Sequence, residues 1–456
     1  MTTLITFISG RRLAVVLGLA LLVRLTMLLL LRDTLDFEQP GAAIHGSEAY
    51  DAYALNLLST GVYGREPGVP DASIPPMYSY ALAVVYALFG RGFVQVGLFH
   101  IALDLAAVGL LYDTARRLFG GERGAWIGFW AGVFTACYPY LVFQNLTLID
   151  TGFWMLLLHL FVWVMLLLRT RPGFDRGTLL LGLAAGLVLG VATLTRPITP
   201  PLALLLALWF LFRLPLRAAF VRLLPVALVS AACVGLWIGR NFAQLGAFIP
   251  MTTTSGANFW QGNSEWTIPV FQAGYDVQWT KPEGVPSSTT DRDADAQRFA
   301  KAFDFLRANP DRIPLLLWTK FVVHWNPQIT PLYNPRANER WELDDTGALR
   351  VLPADATIAG VTAANVSYND GLLDRVGRPA HLLYFGGLLL LAIVSVPVTW
   401  HLWRDVSLLW FVQLSMTIMY VAFHPSTRYR SPSDPLLFVM SAAALVLLWG
   451  RWRQRA

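Results

Sequence analysis

Only 14% of the 456 residues are charged and only two are cysteine. Soluble domains carry about 25% charged residues, so the scarcity of charge excludes both an ordinary soluble domain and a solvated disordered chain. Cys137 and Cys233 each sit inside an apolar run, which indicates neither a disulfide framework nor a cysteine metal knuckle. The seven histidines are scattered, with no His-x-x-x-His pair, and no tandem acidic cluster demands a cation. No essential metal and no cofactor are therefore expected. The basic residues outnumber the acidic ones by a net +6, yet they are not pooled in one patch, so nucleic acid is not an expected partner.

What the chain does contain is apolar length: 55% of its residues are hydrophobic and the mean hydropathy is +0.50. It reads as an all-α polytopic membrane protein. The first apolar run, 13–31, is about long enough to cross a bilayer and meets Arg32-Asp33 without small residues, so a retained transmembrane helix is expected rather than a cleaved signal. Further spans are expected near 93–112, 125–143, 151–168, 178–194, 199–212, 224–239, 381–399, 406–423 and 435–450, about ten in all. Basic residues recur in alternate connections (Arg116, Arg117 and Arg123; Arg169, Arg171 and Arg176; Arg213, Arg217 and Arg222; Arg451, Arg453 and Arg455) and place both termini in the cytoplasm. The run 77–89 is short, follows Pro75-Pro76, and would reverse this alternation if it crossed, so it reads as an interfacial or re-entrant helix. Arg24 lies inside the first span and needs an acid or a route to the interface.

Three regions follow: an N-terminal membrane module 1–240 whose first external loop, 32–91, carries acids; an external domain 241–378; and C-terminal transmembrane helices 379–456. Within 241–378, Phe299, Ala302, Phe303 and Leu306 predict an amphipathic helix ended by Asn309-Pro310, and 313–325 predicts a second, lying on the membrane.

In the first loop, Glu48 and Asp51 share a helix face at i,i+3, while Tyr50, Ala54, Leu57 and Leu58 line an apolar one. The spacing fits a solvated helix with two ordinary acids. It also admits an interfacial helix that presents a general base, though the solvated helix is the more ordinary reading of the spacing alone. The expected topology brings Glu48, Asp51, Asp150, Arg196, Arg240, His424, Arg428 and Arg430 to the outer face. Arg196 and Arg240 are also read as interfacial anchors, and Asp150 as the N-cap of a helix starting at Thr151. Arg428-Tyr429-Arg430 runs against the positive-inside rule, which points to a function for it. Acids and arginines on one side of a membrane suit a phosphate-bearing lipid and a hydroxyl acceptor.

Several ordered motifs carry a resemblance. They are Tyr50-x-x-x-Ala54-x-Asn56-Leu57-Leu58-x-x-Gly61, Pro75-Pro76-Met77-Tyr78, Leu88-Phe89-Gly90, Tyr138-Pro139 through Leu148-Ile149-Asp150, and Leu194-Thr195-Arg196-Pro197. Arg240-Asn241 with Gly246, Gly256 and Gly262-Asn263, and then Arg428-Tyr429-Arg430-x-Pro432-x-x-Pro435, complete the order. Over most of its length the chain resembles bacterial integral-membrane glycosyltransferases of the C-type (GT-C) fold, the family 39 group of protein O-mannosyltransferases and lipid A aminoarabinose transferases. The resemblance implies a multi-pass protein of the bacterial inner membrane. It would transfer a sugar from a polyprenyl-phosphate donor, with inversion, to the hydroxyl of a lipid, glycan or protein on the outer face. A first-loop carboxylate would be the base, Glu48 before Asp51. Arg196, Arg240, Arg428, Tyr429, Arg430, Asp150 and Asn263 would bind the donor and its phosphate. The family acid four residues before the helix tyrosine is Gly46 here, a departure that leaves both Glu48 and Asp51 as candidates. Two other classes compete. A transporter or flippase would show midplane charges and repeats, and only Arg24 answers to that. A catalytically inactive subunit of an envelope complex is compatible with the Gly46 departure.

Overall fold

The computed structural model describes residues 2–31, 47–333, 340–352 and 372–453. Gly46, with the rest of 32–46, and the 353–371 part of the expected external domain lie outside the described residues. Helix α1 (Thr2–Leu31) leads to a first loop carrying α2 (Ser47–Thr60) and α3 (Met77–Phe89). There follow α4 (Phe93–Phe119), α5 (Gly121–Ala136), α6 (Pro139–Gln144), α7 (Thr151–Thr170), α8 (Arg176–Thr193), α9 (Pro200–Leu211) and α10 (Leu216–Leu245). The polar region folds as α11 (Ser255–Gln261), α12 (Thr267–Gln272), α13 (Arg292–Ala308), α14 (Ile313–Trp325) and an antiparallel hairpin of β1 (Arg340–Leu343) and β2 (Leu349–Leu352). Helices α15 (Leu372–Val398), α16 (Trp403–Ala422), the single turn α17 (Thr427–Arg430) and α18 (Asp434–Arg453) complete the chain.

Among the described residues, eight helices are long and apolar enough to cross a membrane: those of α1, α4, α7, α8, α10, α15, α16 and α18. Two of the expected spans form shorter helices. α5 has 16 residues and stops where Tyr138 turns extended ahead of Pro139; α9 has 12 and begins at Pro200. At about 1.5 Å per residue neither helix alone matches a hydrocarbon core of about 30 Å. Helix α3, with 13 residues, is also short, and leaves Val84, Leu88 and Phe89 exposed as an interfacial helix would.

Trp154, Leu158, Phe161 and Val162 of α7 pack in one continuous core with Leu436, Leu437 and Met440 of α18. Against this axis, α8 receives α10 through Gly182, Gly186 and Gly190, spaced one turn apart. A Cβ on Gly186 would stand 2.7 Å from the Val226 carbonyl oxygen, and one on Gly190 would stand 2.6 Å from Cys233 Cβ. Small residues at i,i+4 permit this close crossing where the solvent is lipid. Arg24 finds the acid it needs: its Nε donates to Asp104 Oδ2 at 2.6 Å, Nη1 donates to the Ala136 carbonyl at 3.0 Å, and Asn145 Nδ2 donates to the same Asp104 oxygen at 2.7 Å. The cluster ties α1, α4 and the end of α5 together inside the membrane.

The two ends of the bundle differ chemically. At one end Arg12 pairs with Glu122, Arg213 with Asp405 at 2.6 Å, and Arg222 Nη2 donates at 3.0 Å to the carbonyls of Arg171 and Gly173. These are the basic connections that the alternation predicted. At the other end lie the first loop, the polar region with its hairpin, and the starts of α7 and α18.

Candidate active site

Asp150 stands at the position before α7, where a cap was one expectation, but its carboxylate makes no capping bond. It faces Arg196, in the turn that ends α8. Arg196 Nε donates to Oδ2 at 2.6 Å and Nη2 to Oδ1 at 2.8 Å, a bidentate pair, and Nη2 also reaches Thr151 Oγ1 at 3.1 Å. Both side chains are buried. Burial pushes the Asp150 carboxyl up, but the charge and hydrogen bonds of Arg196, with Arg428, outweigh it and hold the group below the usual carboxylate range. For Arg196 burial acts downward, Asp150 upward, and the net shift is upward. Both are therefore ionised, and they neutralise one another.

Arg428 is the excess charge. Its Nη2 lies 3.7 Å from Asp150 Oδ1, an ion pair too long for a hydrogen bond, and its side chain is 23% exposed. Nη1 of Arg196, Nε of Arg428 and Nδ1 of His424 are buried with no hydrogen-bond partner among the described residues. Tyr429 stacks on Tyr420 with centroids 5.1 Å apart, and meets His424 edge-on at 5.3 Å. Tyr50 of α2 packs in one buried cluster with Leu148 and Ile149, which sets α2 beside Asp150, and burial and then the charge of Asp150 raise the pKa of its hydroxyl.

The other arginine of the motif is turned the opposite way. Arg430 is fully buried; its Nε pairs with Asp434 Oδ1 at 3.2 Å and Nη1 donates to the carbonyls of His324 at 2.7 Å and Asn326 at 3.0 Å. Tyr138 completes the pair by donating to Asp434 at 2.8 Å. One helical turn thus presents Arg428 and Tyr429 to the surface and anchors itself through Arg430. Asn263 is likewise turned inward: its Nδ2 donates to the carbonyls of Phe259 at 2.8 Å and Ala422 at 2.9 Å. Gly262 beside it is obligatory, because a Cβ there would lie 1.7 Å from the Phe423 carbonyl oxygen.

Lys320 of α14 was not singled out in the sequence. Its ammonium is wholly buried, and its partners among the described residues are uncharged oxygens, the Gly262 carbonyl at 2.9 Å and Asn263 Oδ1 at 3.0 Å, with the carbonyls of Ala422 and Phe423 at 3.4 Å. Burial lowers its pKa to about 7. A lysine in register with Leu316 and His324 on an otherwise apolar helix was the available signal. Asp276, also missed, is buried and raised by that burial to about 6.

In the first loop, Asp51 is clamped: Arg91 Nη2 donates to Oδ2 at 2.8 Å and Nε to Oδ1 at 3.0 Å, while the Tyr86 hydroxyl donates to Oδ1 at 2.7 Å. Glu48 belongs to the first turn of α2, and its side chain lies outside the described residues. Arg240 holds the loop from beneath, donating Nη1 to the Asp71 carbonyl at 2.7 Å and Nη2 to the Tyr63 carbonyl at 2.5 Å. Asp71, a further acid that motif reading passed over, accepts from Tyr53, from the Arg65 amide at 2.8 Å and from the Ser73 amide at 3.0 Å. Among the described residues no group of three or more His, Cys, Asp or Glu side chains is disposed to hold a metal ion.

The arrangement of helices has counterparts among solved structures. An archaeal oligosaccharyltransferase, AglB from Archaeoglobus fulgidus, in complex with an inhibitory peptide and a dolichol-phosphate, superposes with a TM-score of 0.54 at 14% identity, over 97% of this chain and 51% of that one. Its apo form gives 0.52 at 13% identity, over 96% and 51%. The fold is that of the GT-C membrane glycosyltransferases. This chain spans about half the length of the AglB chains, 51%. ArnT from Cupriavidus metallidurans, bound to undecaprenyl phosphate, aligns over 95% of this chain and 77% of its own at 15% identity, with a TM-score of 0.40. The family model of the dolichyl-phosphate-mannose-protein mannosyltransferases matches residues 73–238, the stretch that contains Asp150 and Arg196. No curated protein sequence matches the chain significantly.

Proposed function

We propose that the protein is a glycosyltransferase that moves a sugar from a polyprenyl-phosphate donor to an acceptor hydroxyl at the Asp150–Arg196–Arg428 end of the bundle. The observation that carries the reading is the charge arrangement: one buried, neutralised pair and one further guanidinium, partly exposed, at the start of a membrane-spanning helix. The GT-C fold, the mannosyltransferase match and the dolichol-phosphate held by AglB support it. In this reading the GT-C site opens on the outer face of a bacterial inner membrane, and the basic end is cytoplasmic.

The leaving group is a phosphate monoester, and negative charge grows on its bridging oxygen as the glycosidic bond breaks. Arg428 binds it there, with the unpartnered Nη1 of Arg196 as a second donor. Asp150 fixes the Arg196 fork, so the donors are oriented before the donor lipid arrives. Arg430 and Asn263 position this turn from behind, and Arg240 positions the first loop. The acceptor hydroxyl attacks from the face opposite the phosphate, inverts the anomeric carbon and gives its proton to a first-loop carboxylate. Glu48 has that role, and Asp51, held by Arg91 and Tyr86, sets the placement of α2.

The test is equilibrium binding of undecaprenyl phosphate to purified protein. Arg428→Ala is expected to weaken it by roughly 10–150-fold, the loss of one or two charge-assisted hydrogen bonds. Equal affinity of wild type and variant would remove Arg428 from the phosphate site.

A further inference from the structure

Four buried or clamped carboxylates of the site end have strong side-chain partners: Asp150 pairs with Arg196, Asp434 with Arg430 and Tyr138, Asp51 with Arg91 and Tyr86, and Asp71 with Tyr53. Asp276 has none among the described residues. It is 5% exposed, and among the described residues the Gln278 amide donates to its Oδ1 at 3.0 Å. Facing it is His424, 3% exposed, whose Nδ1 stands 4.0 Å from Asp276 Oδ1 and bonds nothing. The other imidazole nitrogen, Nε2, is 3.5 Å from Asn258 Oδ1, and Asn258 is exposed. A buried nitrogen and a buried carboxylate that face each other beyond bonding distance are destabilising unless a further polar group joins them.

The setting narrows what that group is. Burial, then the charges of Lys320 and Arg428, lower the His424 pKa to about 3, so the imidazole is neutral and no ion pair closes the gap. Tyr429 meets His424 edge-on at 5.3 Å, Arg428 lies over the Tyr429 ring at 5.6 Å, and the charge of Arg428 acts on both Asp276 and His424, so the pair neighbours the arginine that the donor reading assigns to the phosphate. A carboxylate, a neutral imidazole and an amide beside an aromatic ring match a small ligand rich in hydroxyl groups, which donate and accept at once. We propose that Asp276, His424 and Asn258 are the subsite for the hydroxyl groups of the donor's sugar, beside the phosphate held by Arg428. This rests on the donor reading above and adds which residues grip the sugar. Lys320 positions the subsite by holding the Ala422 and Phe423 carbonyls directly before His424.

The test compares two probes on purified full-length protein: bare undecaprenyl phosphate, and undecaprenyl phosphates each carrying one hexose or pentose. At least one sugar-bearing lipid should bind wild type more tightly than the bare lipid. Asp276→Asn keeps the Gln278 contact and His424→Gln keeps a polar side chain. Each should erase roughly 10–150-fold of the sugar-dependent preference and leave affinity for the bare lipid unchanged. Retained bare-lipid binding also shows that the variants are folded. Variants that keep the full preference overturn the subsite and leave the phosphate reading intact. So does a parallel loss of affinity for both probes, which is the mark of a structural role. A wild type that binds neither lipid overturns the donor reading and the subsite with it.

Discussion

Arg428 and Arg430 are two residues apart and do different things, and this separation sets the sharpest expectations at the scale of single residues. Arg428→Ala removes a partly exposed charge, so the fold should survive while phosphate binding falls. Arg430→Ala leaves Asp434 buried without its counter-charge and, among the described residues, with Tyr138 as its remaining side-chain partner, which typically costs about 3–5 kcal/mol. Thermal unfolding in detergent should therefore drop for Arg430→Ala and stay level for Arg428→Ala; the opposite ranking would exchange their roles. The base is tested by turnover. Glu48→Gln should slow transfer by about 10²–10⁴ with donor affinity kept, while Asp51→Asn should be milder because Arg91 and Tyr86 still hold an amide. The reverse order moves the base to Asp51.

Which of these residues the fold brings together was partly legible in the chain. Asp150 and Arg196 were both singled out, but 46 positions apart nothing local said that they pair. The Arg-Tyr-Arg motif was legible as a unit, whereas its division into surface and anchor depends on carbonyls from α14. Asp276 had no motif at all, since what marks it is that no side chain among the described residues hydrogen-bonds to it.

At the scale of elements, hydropathy located the spans because lipid forces every backbone group into helix. It carried α5 past its end, which Tyr138-Pro139 sets rather than hydropathy, and it located α9 to within one residue at each end. Arg24 announced that an acid was needed and Asp104 of α4 supplies it. Asp104→Asn should destabilise the protein by about 3–5 kcal/mol by leaving the guanidinium without its counter-charge in the membrane; an unchanged unfolding midpoint would contradict that. Lys320 supplies a pH signature for the docking of α14 on α16. Its pKa falls from 10.5 to about 7 on folding, so between those values the unfolded chain binds more protons and stability rises with pH. The midpoint should climb from about pH 7 toward 9 in wild type and lose that climb in Lys320→Met. A flat wild-type profile would mean that the carbonyl cage keeps the ammonium charged.

At the scale of the whole molecule, the two chemically distinct ends imply a fixed orientation. In a cysteine-free background, Ser287→Cys lies in the polar region and Gly173→Cys in an exposed basic connection, so an impermeant thiol reagent should label the first in intact cells and the second only after permeabilisation. Labelling of both in intact cells would refute the orientation.

Whether a sugar leaves a polyprenyl phosphate at this end is decided by reconstitution. Purified protein in liposomes would receive undecaprenyl phosphate carrying a radiolabelled sugar, together with candidate hydroxyl acceptors. Label should pass to an acceptor while an equal amount of bare undecaprenyl phosphate appears, and Arg428→Ala should suppress both. Intact donor moving between leaflets with no bare lipid formed would contradict this and make the protein a transporter.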